Sequence, residues 1–227
     1  MCGRYTLTAS PEAVQMAFQL KAVPNLTPRY NIAPTQMVPI ITGEARDSLT
    51  WVKWGLIPSW AKDESGASML INARSETIEE KPSFRSAFKK RRCLVPADGF
   101  YEWRKDGDKK RPQYIYLDER EVFAFAGLWE TWKNPVGEMV FSCTIITGEP
   151  NDLIKTMHHR MAVILPPDQY SDWLDDETPL PVLKNMLTPY PPEHMHTYEV
   201  STLVNNARVD QPNLLEPNSP PQQTLLM

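Results

Sequence analysis

Twenty-two prolines are spread over 227 residues. Each fixes its own φ and withdraws one backbone donor, so it ends or kinks a helix and interrupts a sheet ladder. A chain punctuated this way fits many short elements joined by irregular loops. Hydrophobic residues make up 41%, enough for a real core. No apolar run approaches the ~20 residues of a membrane span, and no basic region followed by an apolar stretch marks a secretory signal. Neither a membrane partner nor export is therefore expected. The three cysteines, Cys2, Cys93 and Cys143, cannot all pair and show no C-x-x-C spacing. That pattern favours a reducing, cytoplasmic setting.

Local signals sketch the elements. Ser10-Pro11-Glu12 reads as an N-cap, a proline at the first helical position and an acid in the first turn, so a short helix should run to about Leu20. Pro24, Pro28 and Pro34 should keep residues 22–36 irregular. Val38–Thr42 and Leu49–Gly55 read as strands around a turn at Gly43, and Ile57–Gly66 as a loop with a tryptophan at its tip. Ser83–Arg92 reads as a helix with cations at its C-terminal end, where the dipole favours them. Cys93–Trp103, Gln113–Leu117, Val122–Trp129 and Met139–Thr147 carry the aromatic and β-branched content of strands, with a hairpin turn expected at Asp118–Arg120. Asn151–His158 reads as a short helix capped near Asn151, and Met161–Leu165 as a strand. Helices over Pro167–Leu174 and Pro181–Leu187 and a last strand over Tyr198–Thr202 complete the pattern. From about Asp210 to residue 227 the chain is rich in proline and glutamine with little to bury, and a mobile tail is expected. No repeat or long linker divides residues 1–227. The expected fold is one α+β domain on an antiparallel, barrel-like sheet with short peripheral helices.

The net charge of −4 hides an uneven distribution. Residues 81–111 hold eleven basic and four acidic groups, whereas residues 112–227 hold six and sixteen. Association depends on the local field rather than on the total. Lys89-Lys90-Arg91-Arg92 and Lys109-Lys110-Arg111 therefore read either as a positive nucleic-acid-facing surface or as ordinary solvated surface.

Cys2 follows Met1 directly. On removal of Met1 it would carry an α-amine and a thiol on adjacent carbons, a pair that no internal cysteine offers. Such a 1,2-aminothiol traps an aldehyde: the amine condenses to an imine and the thiol closes a thiazolidine. The ordinary pKa values, roughly 7.7–8.0 for the amine and about 8.5 for the thiol, put both within reach of modest tuning near neutral pH.

Five clusters accompany Met1-Cys2-Gly3-Arg4-Tyr5 along the chain. They include Arg29-Tyr30-Asn31-Ile32-Ala33-Pro34, Trp54-Gly55-Leu56-Ile57-Pro58-Ser59-Trp60 and Ile71-Asn72-Ala73-Arg74-Ser75-Glu76-Thr77. Arg92 through Trp103 and His158-His159-Arg160-Met161 complete the set. In this order they resemble the SRAP family, the SOS response-associated peptidases, from Cys2 to about Arg208. The resemblance implies recognition of abasic sites in single-stranded DNA near single-strand/double-strand junctions. It implies a thiazolidine crosslink to the ring-opened deoxyribose, which shields the lesion, with a weak β-elimination lyase branch from the imine. It implies a catalytic set of Cys2, Asn72, Glu102 and His158, and DNA contacts from Arg4, Asn31, Pro34, Trp60, Arg74 and Arg160. No cofactor is implied, and a monomer is expected. The family usually carries an acid after this histidine and a proline after the methionine; here His159 and Ala162 stand there.

Residue chemistry leaves rivals for each role. Glu102 can be partly desolvated between aromatics, or strand alternation can turn it outward. His158 can shuttle protons or cap a helix, and Asn72 can hold Cys2 and a sugar or form a turn. The arginines fit phosphates or surface ion pairs, and Trp60 fits base stacking or a core. At the level of function, a cysteine peptidase using Cys2, His158 and Asn72 and a non-covalent single-stranded DNA-binding module stand beside the crosslinking reading. His194-Met195-His196 can align two imidazoles, but the spacing is not that of a structural zinc site, so no metal is expected.

Overall fold

The computed structural model describes residues 2–23, 26–66 and 70–218. Two sheets dominate. The first closes on itself. Strands β3 (Met37–Thr42), β4 (Ala45–Trp54), β6 (Arg92–Ala97), β9 (Phe123–Lys133) and β10 (Met139–Gly148) form a ring in the order β10-β4-β3-β6-β9-β10. Closure removes the open edges that a twisted sheet would otherwise expose. Most pairs are antiparallel, as expected, but the closing pair β10–β4 is parallel, with Cys143 opposite Trp54. Further along β10 its place is taken by β5 (Asn72–Arg74), also parallel, while β11 (Met161–Ala162) pairs antiparallel with the opposite edge of β10. The short β12 (Ile164–Leu165) pairs with β9.

The second sheet runs β13-β8-β7-β1-β2, where β1 is Tyr5–Leu7, β2 Arg29–Ile32, β7 Gly99–Asp106, β8 Lys109–Leu117 and β13 Met195–Glu199. Both faces of its central part are buried, and the tip of the β7–β8 hairpin is exposed. Tyr5, Phe100 and Ile115 pack with the barrel strands into the main core, and Phe125 meets Tyr5, Phe100 and Phe123 edge-on. Tyr101 and Tyr114 face the other way, into a second cluster with Val200, Val204 and Leu214.

The expected strand Cys93–Trp103 is two strands in two sheets, broken at Asp98. Buried Asp98 accepts hydrogen bonds from Thr6 Oγ1 (2.5 Å), Thr8 Oγ1 (2.7 Å) and the backbone N–H groups of Thr8 and Ala9 (2.5 and 2.8 Å). It ties the chain after β1 to the point where β6 becomes β7. Gly99 is required beside it, because a Cβ there would lie 2.2 Å from the Tyr114 hydroxyl.

The first helix, α1 (Pro11–Phe18), forms as read, with the Ser10 hydroxyl accepting from Ala13 N. The other helices, α2 (Arg85–Lys90), α3 (Asp152–Lys155), α4 (Tyr170–Leu174) and α5 (Leu180–Asn185), are short. Among the described residues no helix is long and apolar enough to cross a membrane.

Four other expectations are corrected. Residues 22–36 are not wholly irregular, since β2 pairs with β1. Asp118–Arg120 is not a hairpin turn: β8 and β9 lie in different sheets, and these residues form a 3-10 turn between them. The last strand ends at Glu199, because Ser201 caps a 3-10 turn at Thr202–Asn205. The segment from Asp210 to Asn218 is anchored rather than mobile. Asp210 pairs with Arg29 (2.5 Å) and accepts from the N–H groups of Tyr30 and Asn31, and Leu214 is fully buried. The rest of the expected tail, 219–227, lies outside the described residues.

Asp98→Ala strands two backbone donors of the Thr8–Ala9 turn, which costs about 3 kcal/mol. Urea unfolding is expected to show a lower midpoint at unchanged slope.

Candidate active site

Strand β1 carries the N-terminal segment onto the second sheet. Tyr5 pairs with Phe100, and Tyr101 N donates to Arg4 O at 3.0 Å. The residues just before β1 therefore run beside Glu102. Cys2 is fully buried, with its Sγ 3.9 Å from Arg4 O. Burial, reinforced by the negative charge of Glu102, pushes its thiol well above the ordinary range, so the neutral thiol predominates at neutral pH.

Glu102 is buried, 2% exposed. The alternative that Glu102 points outward fails because both faces of β7 are covered: Tyr101 and Trp103 turn to the C-terminal cluster, and Glu102 shares the face of Phe100. Desolvation raises its pKa, which favours the protonated acid.

Asn72 begins β5, opposite Ile145 on β10. Its Nδ2 donates to Cys2 O at 3.0 Å. Its buried Oδ1 has no hydrogen-bond partner among the described residues.

His158 follows α3, whose N-cap Asn151 accepts from Ile154 N. His158 N in turn donates to Ile154 O (2.8 Å). Arg160 N donates to His158 Nδ1 at 3.0 Å. The same Nδ1 lies 3.2 Å from Arg160 O, so the Arg160 backbone holds the ring in place through either tautomer. Burial lowers the pKa of His158, as do the charges of His159 and Arg160. His159 stacks on it, ring centroids 4.3 Å apart. Glu102 and His158 share an open cleft of about 630 Å³, also lined by Trp103, Lys105, Lys110, Met157 and Asn205.

The six residues assigned to DNA contacts divide. Arg160 is buried: it grips Glu76 through both terminal nitrogens (2.7 and 2.9 Å) and reaches Thr147 O at 2.5 Å. Arg4 donates to Val204 O (2.6 Å), Asn205 O (3.3 Å) and Asn31 Oδ1 (3.0 Å). Asn31 is fully buried and donates to Val209 O (2.7 Å) and Asn206 O (3.1 Å). These three side chains brace the site. Arg74 is exposed, two residues beyond Asn72 on the same face of β5. Trp60 is 64% exposed at its loop tip, and Pro34 is half-buried in the turn after β2. Neither Trp60 nor Pro34 lines the cleft of Glu102 and His158.

The basic segment does not form one positive face. Arg92 is buried, donating to the carbonyls of Phe88, Lys89, Trp173 and Asp175, and Arg91 pairs with Glu130 at 2.7 Å. His194 and His196 both contact Asp118, at 2.8 and 2.7 Å. Among the described residues no group of three or more His, Cys, Asp or Glu side chains is arranged to hold a metal ion.

Sequence reasoning passed over Asp98, Glu76 and Asn205, whose roles depend on partners more than 80 residues away. No local signal marks such pairings.

Fold and site together define a mixed α+β protein that holds a near-terminal cysteine against a buried acid, an amide and a neutral histidine. The chain belongs to the SOS response associated peptidase (SRAP) family, whose model matches residues 1–207. It is 42% identical over 222 residues to the abasic site processing protein YoqW of Bacillus subtilis (strain 168), covering 95% of this chain and 99% of that one. It is 31% identical over 262 residues to the abasic site processing protein HMCES of Xenopus tropicalis, covering 95% and 78%. A crystal structure of a Bacteroides thetaiotaomicron protein matches with a TM-score of 0.85 at 31% identity, covering 95% and 99%.

A buried carboxyl with a raised pKa costs stability once it must ionise. Its contribution is complete below the ordinary carboxylate pKa and is lost as pH rises through the raised value. Glu102→Gln removes that loss. Its Tm is expected to exceed the parent's by a margin that grows as pH rises above the ordinary carboxylate pKa through the raised value, read by thermal melts.

Proposed function

We propose that this protein processes abasic sites in single-stranded DNA by forming a thiazolidine between Cys2, as the amino-terminal residue, and the ring-opened deoxyribose. The observation that carries the reading is the convergence of Asn72, Glu102 and His158 on the segment that holds Cys2. The names of the relatives support the abasic-site substrate.

The chemistry follows from the protonation states. The neutral Cys2 amine attacks C1′ of the aldehyde, and the carbinolamine hydroxyl must leave as water. Glu102, whose pKa is raised by burial, supplies the proton. The resulting carboxylate then takes the proton of the buried thiol, and the sulfur adds to the imine carbon. One C–N and one C–S bond form, one water leaves, and no oxidant is needed. His158, its pKa lowered by burial, suits hydrogen bonding to the sugar oxygen released on ring opening. Asn72 Nδ2 holds the Cys2 carbonyl, and Oδ1 is placed to accept from the amine. The high thiol pKa orders the steps, since sulfur becomes reactive only after Glu102 has given up its proton.

The DNA path is part of the proposal. Arg74 offers an exposed guanidinium beside Asn72. Trp60 offers a stacking face worth about 1–3 kcal/mol per base, and Pro34 is assigned the second part of the wedge. Arg4, Asn31 and Arg160 hold the scaffold, and a preference for strand junctions would arise from Trp60 blocking a continued stack.

A denaturing gel with an abasic single-stranded oligonucleotide tests the crosslink. Wild type is expected to give a heat-stable shifted band, and Cys2→Ser none, apart from an imine trapped by borohydride. Peptide cleavage without any adduct would favour a cysteine peptidase instead. Glu102→Gln is expected to slow adduct formation by roughly 10²–10⁴-fold at unchanged DNA affinity; equal loss of both would remove its acid–base role.

A further inference from the structure

We propose that Lys105 and Lys110 form a phosphate-binding pair that holds the backbone of single-stranded DNA at the cleft of Glu102 and His158. The inference rests on the DNA substrate proposed above. It starts from the β7–β8 hairpin, whose turn at Gly107 adopts φ +58, a conformation suited to glycine. Beyond Trp103 the hairpin projects two cross-strand cation pairs: Arg104 lies opposite Arg111, and Lys105 opposite Lys110.

Like charges directly opposite each other are destabilising. On one face the conflict is resolved. Arg111 pairs with Asp106 at 2.6 Å and with Glu199 at 3.1 Å, and Arg104 lies 3.7 Å from Glu199. On the other face it is not. Lys105 and Lys110 are both exposed, and among the described residues neither has a carboxylate within 4.0 Å. Both line the cleft of about 630 Å³ that contains Glu102 and His158. Trp103 stands on their face of the hairpin, its indole N–H bonded to Asn205 Oδ1 at 2.8 Å, so the base of the pair is fixed.

Two ammonium groups left unneutralised beside a catalytic cleft, on a hairpin that neutralises the opposite face, match an anion bridging both strands. Phosphodiesters at successive positions of a single strand fit that chemistry. Lysine acts here as a point charge without base reading, so the pair adds affinity and register rather than sequence preference.

The test uses the full-length protein and a single-stranded oligonucleotide containing a tetrahydrofuran abasic analogue, which has no aldehyde and binds reversibly. Affinity is measured by fluorescence anisotropy from about 50 to about 200 mM salt. Loss of two phosphate contacts on a single strand flattens the slope of log affinity against log salt by about 1.4. K105A/K110A is expected to show that change, K105R/K110R to keep the parental slope, and R104A/R111A to keep it also. A parental slope in K105A/K110A, or the same flattening in R104A/R111A, overturns the proposal. If wild type binds with the expected slopes yet forms no adduct with an aldehyde-bearing abasic strand, the crosslinking reading fails and the phosphate contact stands. Normal crosslinking with an unchanged slope in K105A/K110A gives the converse.

Discussion

The anchoring of β1 to β7 by Asp98 is the constraint on which the site depends. An N-terminal segment has few contacts of its own and usually frays. Here one buried carboxylate collects hydrogen bonds from Thr6, Thr8 and Ala9 at the residue where the chain leaves the barrel for the second sheet. The register that follows puts Tyr5 opposite Phe100 and brings Arg4 O to Tyr101 N. Cys2 thereby acquires a fixed, fully buried position. Asn72 reaches it only because β5 continues the parallel edge that β4 leaves on β10. Three distant pieces of chain meet through two sheet registers.

The second consequence is electrostatic. Cys2 and Glu102 lie in one desolvated environment that raises the pKa of both, and the charge of Glu102 further opposes ionisation of Cys2. Such an arrangement costs folding energy and suits a reaction in which a proton is given first and taken back later. The C-terminal segment contributes by covering the opposite face of β7: Val204 and Leu214 bury Tyr101 and thereby assign Glu102 to the inner face. Asp210 and Asn31 hold that cover in place. Arg160 performs the same service for His158, since its backbone holds the imidazole while its guanidinium is locked on Glu76.

Much of the local structure was legible in the sequence. Ser10-Pro11-Glu12 announces α1, and the aromatic runs announce β7 to β10, because those signals depend on neighbours in the chain. Long-range pairing was not legible. The break at Asp98 looks like one strand until the two sheets are seen, and the packing of residues 210–218 depends on partners such as Arg29 and Tyr30. The catalytic candidates Cys2, Asn72, Glu102 and His158 came through family motifs, whereas alternation left Glu102 undecided. Arg4, Asn31 and Arg160 show why residue type alone is ambiguous: the fork that suits a phosphate suits Glu76 or a row of carbonyls equally well. Lys105 could be matched with Lys110 only once the hairpin register was known.

The most direct measurement of the central claim is the mass of the amino-terminal peptide after reaction with an abasic strand and digestion of both protein and DNA. A peptide beginning at Cys2 is expected to gain the deoxyribose remnant less one water, and to resist thiol alkylation because sulfur and nitrogen both lie in the ring. An unmodified Cys2 peptide, with the sugar remnant on a lysine or with no covalent product, would contradict it.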